Sequence, residues 1–275
     1  MSRRRDDDDD SSMLSGSNQQ PLLIDADGND DENISRPIDD NDASSASRKI
    51  RTNFLQMSAL FATNHGCTVS CLGLANARLG SIGVWQSGTL YASHTAAALF
   101  GASYFVKKFG SRNGLALGMG MSAAYVTSFF LASLIVENNE EMVWLQDFVA
   151  IAGAVVGGVG SSILWVSQGT YFSCASELFA SKVEEEGEIV VLGDATSRFG
   201  GNFAFVFLLS EVILLRLLST FLIETAGLAW RIIFGLYSLL SILPVFFMMG
   251  VMDVEEYQQH QYNNLLQTED DDGSD

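Results

Sequence analysis

The sequence predicts an all-α, polytopic membrane protein with disordered acidic termini. Three observations carry that expectation. First, charge and hydropathy disagree for the chain as a whole: the net charge is −18, yet the mean hydropathy is +0.20. Residues 1–47 and 253–275 hold 21 of the 33 acids and four of the 15 basic residues, so residues 48–252 are nearly neutral and apolar. Second, that body divides into six apolar runs of about 20 residues, the length of a membrane-crossing helix. Third, the run from Gly153 to Phe172, GAVVGGVGSSILWVSQGTYF, is apolar but crowded with small residues. Glycine costs a soluble helix about 1 kcal/mol against alanine. In lipid the helix is enforced, because no water can satisfy an unwound backbone.

Residues 1–47 are rich in Asp, Ser and Asn and nearly free of aromatics. Such a segment cannot bury a core, and it is expected to be disordered. Arg3-Arg4-Arg5 leads into five aspartates and not into an apolar stretch, so no signal peptide is expected. The six predicted spans of the domain 48–252 are about 53–76, 82–106, 114–136, 145–174, 199–222 and 231–252. The fourth is long enough to tilt or to extend beyond the bilayer. Residues 253–275 form a second acidic tail, expected to be disordered after a short interfacial helix through Tyr257 and Tyr262.

Loop charge sets the expected orientation, since cytoplasmic loops are enriched in Lys and Arg. Arg48, Lys49 and Arg51, then Lys107, Lys108 and Arg112, then Lys182 and Arg198 share one side if there are six spans. Arg78 and Arg231 lie opposite, with Glu137, Glu140 and Glu141. Both termini are therefore expected in the cytoplasm; plasma membrane and endomembrane are equally compatible.

Within span four, Gly153, Gly157 and Ser161 recur every fourth position, as do Ala154, Gly158 and Ser162. On a helix this spacing makes smooth stripes against which a neighbouring helix packs closely. Ionisable and strongly polar residues at membrane depth are costly and usually face a bundle interior. Asn64 and His65 in span one, His94 in span two, Gln168 in span four and Glu211 in span five form a candidate intramembrane polar site. Spans three and six carry only hydroxyls at mid-depth, and are expected to face mostly lipid. The carboxylate of Glu211 either serves a transported or coupling cation or bonds another span. Arg216, five positions on, is a poor partner within the same helix and is expected to snorkel outward.

Other chemistry has no basis here. Cys67, Cys71 and Cys174 lie in apolar runs without CxxC or Cys/His clustering, so they read as packing residues rather than metal ligands. There is no GxSxG, HExxH or Walker loop. No enzyme, cofactor or nucleic-acid partner is expected; the partner the composition implies is the lipid bilayer.

The segment LGSIGVWQSGTLYASHTAAALFGASYFVKKFGSRNGLALGM resembles the second and third helices of a major facilitator superfamily member. More narrowly, the chain resembles the uncoordinated-93 family of ion-channel regulatory proteins. The LYAS-type segment, the link through Lys107, Lys108 and Gly110, the opening NFLQMSALFATNHG, and the run of Trp165, Gln168, Gly169 and Tyr171 carry that likeness, over about residues 50–252. It implies one six-helix half of a facilitator fold and a role in modulating or trafficking a partner membrane protein, such as a potassium channel. General facilitators carry an acid after span two, where this chain has Lys107. Family members have twelve spans, so the resemblance also implies a homodimer, a secondary transporter built that way for a cation or small solute, or a truncated facilitator without activity of its own.

Overall fold

The computed structural model describes residues 40–138, 142–185, 191–224, 229–260 and 263. Among them the fold is all-α, without a strand. The helices are α1 (Asp40–Leu79), α2 (Ser81–Phe100), α3 (Ala102–Phe109), α4 (Ser111–Asn138), α5 (Val143–Glu185), α6 (Leu192–Leu208), α7 (Leu218–Glu224) and α8 (Trp230–Met248). A π-helical segment, Leu209–Leu217, joins α6 to α7. Residues 254–260 add nearly two further helical turns.

Among the described residues three helices are long and apolar enough to cross a membrane: α4 over Ser111–Ile135, α5 over Val143–Glu184 and α8 over Trp230–Met248. The expectation was six. The other three predicted spans coincide with helices too, but each departs from the plain pattern for a visible reason. Span one lies in α1 and is diluted by Asn53, Gln56, Asn64 and His65. Span two is broken at Gly101 into α2 and α3, and α2 carries Gln86, His94 and five hydroxyls besides tyrosine. Span five is divided into pieces of 17, 9 and 7 residues by the π-helical segment. The outer surface is rich in bare aromatics. Trp85, Tyr104, Trp144, Phe205 and Phe246 are each at least two-thirds exposed, more apolar surface than a water-facing protein normally leaves bare.

One boundary differs from expectation. α1 begins at Asp40, inside the tail predicted to lack structure, because the helix anchored by buried Ile50 and Phe54 propagates backwards through Ser and Ala. After Asp253 residues 254–260 are helical, in keeping with the short helix expected through Tyr257. The predicted contribution of Tyr262 lies outside the described residues, as do the tails 1–39 and 264–275. At 43 residues α5 is about 65 Å long at 1.5 Å per residue, twice a bilayer core. It is longer than a bilayer core is thick, as its sequence predicted.

α4 is packed on several sides. It runs along α5 on one side and α8 on another, and touches α1 as well. Leu115, Met119, Tyr125, Val126, Phe129 and Ala132 of α4 are buried. Half of its apolar window is buried, the same share as in α5. Span three therefore does not face mostly lipid, and its hydroxyls are used inside: Thr127 Oγ1 lies 2.7 Å from Ser238 Oγ of α8.

The stripes of α5 work as their spacing implies, but against two different helices. A Cβ on Gly157 would sit 2.6 Å from Cβ of Tyr125 on α4, and one on Gly158 would sit 2.9 Å from the His94 backbone nitrogen on α2. Gly153 meets Ser128 on the α4 side. Ser93 Oγ donates to the Ala154 carbonyl at 3.4 Å across the α2 side. Ser161 is only half-buried.

Among the described residues the core has two large apolar clusters and a small third of Ala102, Val106 and Ile163. One large cluster holds Phe54, Met57, Phe61, Leu115, Met119, Leu164, Leu178, Phe199 and Met248. The other holds Cys67, Cys71, Leu90, Tyr125, Phe129, Phe234 and Tyr237. On α1 the join falls between Phe61 and Cys67, and this is where Asn64 and His65 sit.

Candidate functional site

Asn64 and His65 are adjacent in sequence and so point about 100° apart on α1. The two directions have different partners. Asn64 is fully buried, and its Nδ2 donates to the carbonyls of Met119 at 3.1 Å and Ser241 at 2.8 Å. It ties α1 to α4 and α8 by bonding backbone oxygens. Its Oδ1 is buried without a hydrogen-bond partner among the described residues.

His65 turns the other way. Its Nδ1 lies 3.1 Å from Oε2 of Glu211, and each side chain keeps only 15% of its surface exposed. Glu211 stands in the π-helical segment, directly against α1. π-helical turns inside helices are rare and are found disproportionately at functional sites. The pair is enclosed by aromatic rings. His65 stacks on Phe61 at 5.8 Å, meets Trp165 of α5 edge-on at 5.3 Å, and lies 5.4 Å from Phe207 of α6. Phe61 also touches Trp165 at 4.9 Å. The carboxylate and the imidazole are thus bonded in an apolar cage built from α1, α5, α6 and the π-helical segment.

The five predicted polar residues do not form one site. His65 and Glu211 come together; Asn64 faces a different side of α1. Gln168 is buried on α5 and His94 is half-buried on α2, and among the described residues neither bonds the pair. Trp165 joins the site as a wall of the cage, whereas Tyr171 belongs elsewhere. The side chains of Arg216 and Glu137 lie outside the described residues, as do Glu140 and Glu141. Phe61 and Phe207 were missed by sequence reasoning, although each lies four positions before the polar residue it shields. Gln86 was missed as well: it is fully buried on α2, with neither end of its amide bonded among the described residues.

The link residues Lys107, Lys108 and Gly110 form a second constellation. Both lysines lie in the last turn of α3, where cations offset the helix dipole. Gly110 takes φ +81°, a conformation that side chains disfavour, and its missing Cβ leaves room for Glu255. The Glu255 carboxylate accepts the Ser111 backbone N–H at 3.2 Å and 3.3 Å, at the start of α4. Arg112 Nε lies 3.5 Å from Asp253 Oδ2. Asn53 Oδ1 accepts the Met252 N–H at 3.1 Å, and Tyr171 Oη donates to the Met252 carbonyl at 3.2 Å. Residues 252–255 are therefore held by α1, α4 and α5 together. The acids that oppose this basic link come from the segment after α8.

Among the described residues no three His, Cys, Asp or Glu side chains gather as a metal site requires. A comparison with models of known protein families finds no match, and a comparison with curated proteins finds none either.

Proposed function

We propose that this protein crosses the membrane six times, with both termini in the cytoplasm, and regulates a partner membrane protein. The motifs that resemble the uncoordinated-93 family point to a potassium channel as the class of partner. Six crossings are supported by continuity. α1 reaches through both large core clusters, and the chain is helical without a break from Leu192 to Glu224. Two of the polar residues that dilute α1, Asn64 and His65, bond neighbouring helices, as membrane-buried polar residues do.

The observation that carries the regulatory reading is the His65–Glu211 contact. A carboxylate that serves a transported cation must be open to it, whereas this one is already bonded within the chain and walled by aromatics. The bundle therefore reads as a scaffold in which this carboxylate is closed off. The test is co-expression with a set of potassium channels under voltage clamp. The expected result is a change in current or surface level of one channel that survives Glu211→Gln.

One observation favours transport as a second reading. Glu211 sits on a π-helical segment and its side chain is not fully sealed. In that case a homodimer would complete a central pathway. Cation flux in proteoliposomes that disappears with Glu211→Gln would establish this reading and overturn the first.

A further inference from the structure

The end of the bundle where basic residues gather holds a cavity that the histidine–glutamate site does not use. It measures about 300 Å³ and is lined by Arg51 of α1, Phe179 of α5, and Arg198, Phe199 and Asn202 of α6. That volume is at the lower end of the roughly 300–1,000 Å³ typical of small-molecule sites. Its inner wall is aromatic. Buried Phe199 packs at 5.2 Å from Phe179 and 4.5 Å from Phe54.

Arg51 and Arg198 are both exposed at this cavity. Neither makes an ion pair or a side-chain hydrogen bond among the described residues. Asp194, one turn before Arg198 on α6, is not within ion-pair distance of it. Two guanidinium groups from different helices thus line one cavity, and among the described residues no carboxylate lines it with them. Like charges so placed repel, and an anion between them removes the repulsion. The planar guanidinium fork matches phosphate oxygens two at a time, and the Asn202 amide adds a neutral donor. Basic pockets between membrane helices at a cytoplasmic face are where anionic headgroups bind, and the phenylalanine wall suits the glycerol and upper acyl carbons of a lipid.

We propose that this cavity binds a phosphate group through Arg51, Arg198 and Asn202, as carried by the headgroup of an anionic phospholipid. The site is separate from the His65–Glu211 pair and stands whether the protein regulates or transports.

The experiment is native mass spectrometry of the full-length protein titrated with phosphatidylinositol bisphosphate, phosphatidylserine or phosphatidylcholine. A parallel titration uses soluble inositol trisphosphate. The expected result is retention of one phosphoinositide, about tenfold or more weaker in the double variant Arg51→Gln/Arg198→Gln. Arg198→Lys keeps the charge but loses the fork, and falls between. Lys49→Gln, at the same end of α1 but lining a different cavity, leaves binding unchanged. Inositol trisphosphate binding with the same dependence on the two arginines supports the site and assigns the phosphate to a soluble source. Equal retention of phosphatidylcholine overturns the proposal. So does an equal loss in Lys49→Gln, which would mark general surface charge, or no retention of any phosphate-bearing probe. Both arginines are exposed, so their replacement leaves the core intact, and an unchanged melting temperature checks this.

Discussion

Replacing Gly157 by alanine tests how α4 and α5 are held together. The added Cβ would lie 2.6 Å from Cβ and 2.8 Å from Cγ of Tyr125. Carbon atoms in contact are most stable at about 3.5–4.0 Å, so the approach is roughly 1 Å too close. Neither atom can rotate away, since a Cβ is placed by its backbone and Tyr125 is fully buried. The two helices must therefore separate, and overpacking of this kind costs about 1–3 kcal/mol. The better helix propensity of alanine offsets about 1 kcal/mol of that. The net loss is up to about 2 kcal/mol, at about 2–4 °C of melting temperature per kcal/mol for a domain of this size. Gly169→Ala on the same helix is the control, because no atom lies within 4 Å of its would-be Cβ. It is expected to leave stability unchanged or raise it by up to about 1 kcal/mol. The assay heats the detergent-solubilised protein and follows its monodisperse peak by size exclusion. If Gly157→Ala melts at or above the temperature of Gly169→Ala, the close α4–α5 approach is not what stabilises the bundle.

Three further outcomes are expected. Glu211→Leu strands the His65 nitrogen in an apolar cage and costs about 1–3 kcal/mol; the double variant His65→Phe/Glu211→Leu recovers part of that loss, and a double-mutant cycle with no coupling would show the contact to be inert. Gly110→Ala forces a side chain into positive φ, which costs about 1–2 kcal/mol, and crowds Glu255; it lowers the melting temperature and releases residues 253–260 to limited proteolysis. Glu255→Gln weakens the acceptor at the start of α4, a capping contact worth about 0.5–2 kcal/mol, and Asp253→Asn removes a partly exposed ion pair worth less than about 1 kcal/mol; hydrogen exchange at residues 253–260 should rise more for the first than for the second.

The helical class, the acidic tails, the long fourth span and the small-residue stripes were legible in the chain itself. Each depends on composition or on a spacing along one helix, and lipid enforces the helix wherever apolar residues run long enough. The individual polar residues were legible too, because His65 and Glu211 stand out against their apolar neighbours. What they do was not. Glu211 lies 146 positions from His65, and nothing local shows that a π-helical segment sets it against α1. Asn64 and His65 differ by one position and face different partners, so only packing separates a helix tether from half of an ion pair. The packing role of α4 was hidden for a similar reason: its alanines, glycines and hydroxyls look lipid-compatible, and only α5 and α8 lying against it reveal them as contact surface. The docking of residues 252–255 was also out of reach, since a polar stretch rich in acid has no periodicity and orders only where Asn53, Ser111, Arg112 and Tyr171 converge to bond it. Patterns along one helix determined what kind of protein this is; contacts between helices far apart in sequence decided which residues face one another, because long-range packing leaves no local period to read.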